Sequence, residues 1–310
     1  MLNNEPIVTV ENVSHRYAST QWAVNNVSFD LSKNGITGLL GSNGAGKSTL
    51  MNIMCGVLTA TKGRVAINGK DINRKRVEAK MQLGFLPQKP PLHIDLTVEE
   101  YLRYTAGLRL VERKHIKQFV NEAMAKCAIT HFKDRLIKNL SGGYQQRVGI
   151  AQAIIHKPLF VILDEPTNGL DPNQILEIRN LIKDISHDQT VLLSTHILSE
   201  VAAMCEDVKM LEHGDMVFEG NITEFNNCVK LNSVSVHLMN PPSLDILRGL
   251  DGVSSVVDKG ENNYLFNLEN GSISTEYIIK LSIENNWRLL EIKREKASLD
   301  EVFAYLSQNE

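Results

Sequence analysis

Cysteine, long apolar runs and clustered positive charge are all in short supply in these 310 residues. Cys55, Cys127, Cys205 and Cys228 stand far apart, with no Cys-x-x-Cys pair and no Cys/His ligand spacing. That excludes a disulfide framework or a zinc module and fits reduced thiols in a cytosolic chain. No apolar run approaches the roughly 18–20 residues that cross a bilayer. Glu5 and Glu11 interrupt the N-terminus, where a secretory signal needs a basic start and an apolar stretch. Any work on a membrane is therefore expected to pass through a separate chain. A net charge of −3 without a dense Lys/Arg stripe predicts no nucleic-acid partner. There is no internal repeat and no low-complexity segment. What remains, 43% hydrophobic and 22% charged, is an ordinary globular composition with room for one large or two moderate domains.

One stretch organises the chain: Gly41-Ser42-Asn43-Gly44-Ala45-Gly46-Lys47-Ser48, followed by Thr49. It fits G-x-x-x-x-G-K-[ST]. Glycines let backbone N–H groups turn inward around a polyphosphate with no Cβ in the way. Lys47 can reach the outer phosphates as a point charge, and Ser48 can place its hydroxyl on Mg²⁺. Residues 36–40 read as a buried strand entering the loop, and Leu50, Ile53, Met54 and Val57 recur at helical spacing after it. The loop is thus expected at a helix N-terminus, where unpaired N–H groups and the helix dipole favour an anion.

The flanks read as alternating α and β. Val8 and Val10, then Val24, Val27 and Phe29, mark two strands, with Tyr17 in the polar stretch between them. Residues 64–67 read as a strand closed by an Asn68-Gly69 turn, and residues 83–86 as another, ending at Pro87-Gln88. From Thr97, an N-cap candidate with Glu99 and Glu100 behind it, the period becomes helical. Residues 112–128 form a second helical stretch, so residues 90–158 look like a mostly helical insertion. Residues 160–163 form a continuous apolar run, as in a central parallel strand, and end at Asp164-Glu165. Asp171-Pro172 starts a helix that reaches about Ser186. Residues 190–194 form a buried strand ending at Thr195-His196, and His213-Gly214-Asp215 marks a hairpin turn. Beyond Gly220 the pattern is strand 234–238, helix 243–250, strands 253–257 and 264–268, helix 274–284 and strand 288–292, closed by a helix over 299–306. That βαββαβ order is the ferredoxin-like arrangement. The expected division is 1–220 and 221–310.

The carboxylates after the 160–163 strand suit two roles. Asp164 can hold Mg²⁺ through water, since that ion keeps much of its hydration shell. Glu165, pointing the other way, can orient or deprotonate the water that attacks a γ-phosphate. Leu140-Ser141-Gly142-Gly143-Tyr144-Gln145-Gln146-Arg147 supplies a second anion-binding helix start, with Ser141 as N-cap and the two glycines exposing N–H groups.

Here the sequence resembles the ATP-binding subunits of ABC transporters, whose Leu-Ser-Gly-Gly-Gln signature stands as Leu-Ser-Gly-Gly-Tyr, with Tyr144 replacing Gln. The resemblance covers residues 6–220. It implies a fold: an α/β P-loop NTPase core with an antiparallel β subdomain and a helical insertion, followed by the small α+β domain. It also implies roles. Gln88 resembles the glutamine that senses Mg²⁺ and the γ-phosphate. Phe160 to Thr167 resemble the Walker B strand with its catalytic glutamate, and Gly169-Leu170-Asp171 the loop that acts across a dimer. His196 resembles the switch histidine and Tyr17 the aromatic that stacks on adenine. The implied cofactors are ATP and Mg²⁺, and the implied reaction is ATP hydrolysis with Lys47, Gln88, Glu165 and His196 at its centre. Two such subunits, expected to be copies of one chain, pack head to tail, so that ATP on one P-loop is closed over by Ser141, Gly142 and Gly143 of the other.

The ending Ala297-Ser298-Leu299-Asp300-Glu301-Val302-Phe303 is similar to that of ATPases serving type-2 ABC exporters, whose permease is a separate integral-membrane chain. The protein is then expected at the cytoplasmic face of the membrane. The permease is expected beside residues 88–109, with Leu92, Ile94 and Leu96 as an apolar floor. The alternative is a soluble ABC-type ATPase acting on ribosomes or DNA. Such relatives usually carry tandem cassettes or long coiled coils, whereas this chain has one cassette and no sustained heptads.

Overall fold

Two-residue alternation builds the first sheet. Strand β1 (Val8–His15) sends Val8, Val10 and Val13 into the core, and β2 (Val24–Leu31) answers with Val24, Val27, Phe29 and Leu31. The structure, a computed structural model, describes residues 6–18, 20–32, 34–229, 233–269, 275–295 and 297–308. After β3 (Gly35–Leu40) and helix α1 (Lys47–Met54), β4 (Lys62–Ile67) and β5 (Lys70–Asp71) complete an antiparallel sheet of order β2-β1-β4-β5. Asn68 (φ 47°) and Gly69 (φ 69°) form the turn between β4 and β5, a left-handed pair that matches strand twist.

The helix face expected to run to Val57 stops short. Helix α1 ends at Met54, Gly56 turns left-handed at φ +61°, and Val57 is 70% exposed. A glycine that adopts this conformation without a Cβ penalty is a stronger stop signal than one apolar residue in phase is a continuation signal.

The second sheet is the scaffold for chemistry. Its elements are α2 (Arg76–Met81), β6 (Leu83–Leu86), α3 (Val98–Leu108), α4 (Arg113–Lys126), α5 (Gly142–Ile154), β7 (Phe160–Asp164), α6 (Pro172–Ser186), β8 (Thr190–Ser194), α7 (Leu198–Met204), β9 (Asp207–Glu212) and β10 (Asp215–Asn221). The strand order is β10-β9-β3-β8-β7-β6, parallel throughout except for the β9–β10 hairpin. Parallel strands covered on both faces need continuous apolar runs, and Phe160, Val161, Ile162 and Leu163 are all fully buried. Registers Leu39↔Ser194, Asp164↔Ser194 and Leu86↔Leu163 bring the carboxyl ends of β3, β8, β7 and β6 to one edge. Residues of α1 join both sheets in one apolar core with Val10, Ile67, Leu39 and Phe160. Helices α2 and α7, each under two turns, are too short to leave a helical period in the sequence.

Thr97 caps α3 as expected. Glu100 N–H donates to Thr97 Oγ1 at 3.2 Å and Thr97 N–H donates to the Glu100 carboxylate at 2.9 Å, a reciprocal box contributing about 1 kcal/mol. The apolar floor expected ahead of it is only partial: Leu92 and Leu96 are half-buried, but Ile94 is 49% exposed. Cys55, Cys127 and Cys205 are buried free thiols, and burial pushes Cys127 and Cys205 up to about 12. Among the described residues no helix is long and apolar enough to cross a membrane.

The chain divides into two compact units, one running to Ile222 and taking in the chain's end from Leu306, the other Thr223–Tyr305. After α8 (Ile222–Asn226), the second unit contains β11 (Ser233–Leu238), α9 (Leu244–Arg248), β12 (Val253–Gly260), β13 (Asn263–Leu268), α10 (Thr275–Glu284) and β14 (Leu289–Arg294). The sheet order β12-β13-β11-β14, with every pair antiparallel, is the ferredoxin-like one. Val234, Val236, Phe266, Ile278 and Trp287 fill its core. Ser274, expected to open α10, lies outside the described residues. A final helix, α11 (Leu299–Gln308), carries Leu299, Val302, Phe303 and Leu306 at helical spacing, with Val302 fully buried.

His156 makes the fold acid-sensitive. Its Nε2–H donates to Leu83 O at 3.1 Å, while the enclosed Nδ1 has no partner. Burial, helped by the Arg109 charge and opposed by the Leu83 carbonyl, lowers it from 6.5 to about 4. Between those values the unfolded chain takes up a proton that the native chain refuses, so stability falls as pH drops through this window. From pH 6.5 to 5 the loss is about 2 kcal/mol. His156→Gln keeps a donor for Leu83 but does not titrate. Chemical denaturation at pH 7.5 and 5.0 should show the wild type losing about 2 kcal/mol more than the variant; equal losses would exclude His156 as the cause.

Candidate nucleotide site

The carboxyl ends of β3, β6, β7 and β8 open onto a cavity of about 330 Å³. Tyr17, Asn43, Gly44, Gly46, Lys47, Ser48, Thr49, Gln88, Asp164 and Glu165 line it, with Ala23 and Ser194. In open parallel sheets this edge is where ligands bind, because loops diverge there and helix N-termini point inward.

The loop from Gly41 to Gly46 connects β3 to α1, and its backbone is pressed from both sides. A Cβ on Gly46 (φ 106°) would lie 2.3 Å from Ala23 O, and one on Gly41 (φ 149°) 2.2 Å from Leu211 O. No other residue type fits either place. Helix α1 has no acidic residue in its first turn, so its N-terminal N–H groups and dipole face the cavity uncompensated. Gly41, Ser42 and Ala45 shape the loop without lining the cavity. Lys47 Nζ donates to Gly41 O at 2.7 Å and Ser42 O at 2.9 Å. Burial lowers its pKa, with Glu165, Asp164 and Glu212 pulling the other way.

Asp164 ends β7 and Glu165 follows in a left-handed turn at φ 49°, and both line the cavity. Burial raises the Asp164 pKa; the Ser194 hydroxyl opposes this, Glu165 adds to it and Lys47 counters it. Such a group is short of a cation. His196 Nδ1 sits 2.9 and 2.8 Å from the two Glu165 oxygens, so the N–H donates to the carboxylate and holds its plane. Tyr17 is 55% exposed at the mouth, with its hydroxyl 3.2 Å from Thr49 Oγ1.

Ser141, Gly142, Gly143 and Asp171 lie elsewhere. Ser141 occupies the N-cap position of α5, but its side chain makes no cap bond, contrary to expectation. Asp171 does cap α6, accepting from Asn173 and Gln174 N–H at 3.1 and 3.0 Å. Gly143 and Asp171 share a separate cleft with Tyr144, Arg147, Asn173, Gln174 and Glu177, and none of these lines the first cavity. A Cβ on Gly143 would lie 2.7 Å from the end of the Gln174 side chain, so a larger residue there would push that side chain aside. Tyr144 turns instead to Phe132, at 4.5 Å between ring centroids. Sequence reasoning missed Glu212, a buried carboxylate that accepts from the Ser42 backbone N–H and hydroxyl. The only available signal was an acid at a strand end beside a hairpin turn.

The residues fit a nucleoside triphosphate with a small hard cation. The loop and helix start offer N–H groups to phosphate, and Ser48, Gln88 and Asp164 contribute oxygen atoms to the lining of the same cavity. No group of three or more His, Cys, Asp or Glu gathers among the described residues. An ion here would have Asp164 as its carboxylate with the Ser48 hydroxyl and the Gln88 amide oxygen beside it, phosphate and water completing the shell.

Fold and site together define a phosphate-loop ATPase. The family model described as ABC transporter matches residues 24–168. The chain is 34% identical, over 82% of its length and 91% of the relative's, to the energy-coupling factor transporter ATP-binding protein EcfA1 of Methanospirillum hungatei. It is 26% identical, over 96% and 97%, to the uncharacterized ABC transporter ATP-binding protein YhaQ of Bacillus subtilis. Among solved structures, the dimeric post-hydrolysis state of the ATP-binding cassette MJ0796 with ADP and Pi superposes with a TM-score of 0.63 at 25% identity, covering 69% of this chain and 98% of that one. The chain belongs to the ABC transporter family, as one of its ATP-binding, ATP-hydrolysing subunits.

Lys47 is the cation nearest the loop, in a site where charge stabilisation is the largest catalytic term. Lys47→Ala should lower ATP turnover at least about 100-fold. Turnover within a few-fold of wild type in the purified variant would refute its role.

Proposed function

We propose that this chain powers an exporter by closing as a homodimer over two ATP–Mg²⁺ molecules and transmitting that closure to a separate integral-membrane permease. The observation that carries the reading is the separation of the two clefts. One chain holds a phosphate loop with its carboxylates, and, without a shared residue, a second glycine-rich helix start capped by nothing of its own. Each cleft then supplies half of a composite site, Ser141, Gly142, Gly143 and Asp171 facing the nucleotide of a second copy. Binding is linked to closure because each ATP completes the contact. That the similar cassette MJ0796 is dimeric supports the same assembly.

In this reading Lys47 and the N–H groups from Asn43 to Thr49 bind the phosphates, and Tyr17 stacks on the base. Ser48, Gln88 and Asp164 hold Mg²⁺. The bound ion supplies neutralisation of the phosphate oxygens. Glu165 orients the attacking water and accepts its proton, and His196 keeps that carboxylate in place. The carboxyl-terminal unit and the ending over residues 297–303 support the exporter assignment, with the chain at the cytoplasmic face.

The permease is expected against a patch on α2 and α3. Val77, Met81, Tyr104, Leu108 and Leu110 are all between 41% and 64% exposed. Arg109 ties the two helices, donating to Lys80 O and Leu83 O at 3.1 Å each. Apolar side chains this exposed, on helices that Arg109 braces, support a docking surface here. The patch flanks β6 in the chain, α2 before it and α3 after it, and β6 leads through Pro87 to Gln88 in the cavity.

Glu165→Gln keeps the shape but cannot accept a proton. With Mg-ATP it should elute from a sizing column as a dimer that the wild type shows only transiently, and a monomer under every nucleotide condition contradicts the composite site. A photo-crosslinking residue at Leu108, in membranes holding the transporter, should capture an integral-membrane chain. Capture from positions in the carboxyl-terminal unit alone contradicts the docking surface.

A further inference from the structure

The turn between β9 and β10 forms the underside of the phosphate loop. Leu211 O presses on Gly41, and Gly214 N–H donates to Ala45 O at 3.1 Å. Asn25 N–H in turn donates to Gly214 O at 2.8 Å, and its Nδ2 to Asp215 at 2.9 Å, so β2 fixes the turn from behind. Glu212 is the ionisable member of this contact. It is 3% exposed and accepts the Ser42 backbone N–H at 3.2 Å as well as the Ser42 hydroxyl. Its other polar neighbours are the Ser307 hydroxyl at 3.5 Å, in the part of the chain's end that belongs to the same unit, and His213 Nε2 at 3.9 Å.

A buried carboxylate is costly unless donors satisfy it, and here both donors of one loop residue do. We propose that Glu212 is a positioning residue for ATP hydrolysis, which fixes Ser42 so that the N–H groups from Asn43 onward face the phosphates before nucleotide arrives. The inference rests on the nucleotide site described above. Glu212 does not line the cavity and touches no reacting atom; beside a coulombic pull on Lys47, it acts through the shape of the loop. Loop shape serves the bound substrate and the transition state alike, so losing it raises KM and leaves kcat in place. A loop without this anchor must be ordered by the ligand, which lowers apparent affinity by the fraction of time it is misplaced.

The test is steady-state ATPase on the full-length chain. Glu212→Ala should raise KM for ATP about tenfold, the equivalent of one or two charge-assisted hydrogen bonds, with kcat within about twofold. Glu212→Gln should restore KM to within about threefold, because its amide oxygen can accept the Ser42 N–H while its NH₂ donates to Ser42 Oγ. Ser42→Ala should raise KM about threefold alone and add nothing to Glu212→Ala. An unchanged KM in Glu212→Ala, a loss confined to kcat, or additive effects of the two alanines would each overturn the proposal. Should Glu212→Ala fail to fold, Ser42→Ala and Glu212→Gln carry the test: an unchanged KM in the first, or a tenfold rise in the second, overturns it. Lys47→Ala run alongside separates the two levels. If it hydrolyses ATP normally the nucleotide site itself is misassigned; if it is inactive while Glu212→Ala is normal, only the positioning role fails.

Discussion

Two backbone carbonyls, Ala23 O and Leu211 O, lie where a Cβ would stand on either side of the phosphate loop. The nucleotide site depends on that steric constraint. It demands glycine at positions 41 and 46, while the Ser42 N–H turns to Glu212 and the Ala45 N–H to Ser42 O. It also requires β2 and β9 to be rigid, which explains why the loop sits over the fully packed core that joins the two sheets. Backbone contact on both sides, with the buried Glu212 carboxylate beneath Ser42, sets the loop's geometry before any ligand enters.

Much of this site was legible from spacing alone. Glycine, lysine and serine in a fixed order, a strand ending in Asp164-Glu165, and a second glycine pair before a helix each need particular residue types, and the type is visible in the sequence. The ferredoxin-like order was legible too, because strands of alternating burial such as Ser233–Leu238 carry a period of two. What stayed hidden depends on distance across the chain. Glu212 meets Ser42 from 170 positions away, and nothing local distinguishes it from a solvated acid at a hairpin. The missing cap on Ser141 was hidden for the opposite reason: the residue type was right, but the geometry does not use it. Val57 shows a third case, where a periodic apolar residue lost to the glycine before it.

The two clefts differ in how they are held. The nucleotide cavity is framed by parallel strands buried on both faces, among the least deformable parts of a fold. The second cleft is framed by two helix starts, and its contacts are side chains: Arg147 to Glu177 at 2.6 Å, Tyr144 against Phe132, and Gln174 beside Gly143. In the composite site proposed above, the rigid half would meet an adaptable one, and only one surface would need to adjust on closing.

Lys47 has a further consequence. Its ammonium has three N–H bonds, and two of them hold the carbonyls at the start of the loop it terminates. Residues 41 to 47 are thereby joined end to end, covalently one way and by hydrogen bonds the other, into a small macrocycle. Closing such a ring removes most of its chain entropy in advance. An arriving anion then meets a preformed crown with a single ammonium N–H left to offer, and so a lysine, usually a mobile point charge, becomes a directional donor.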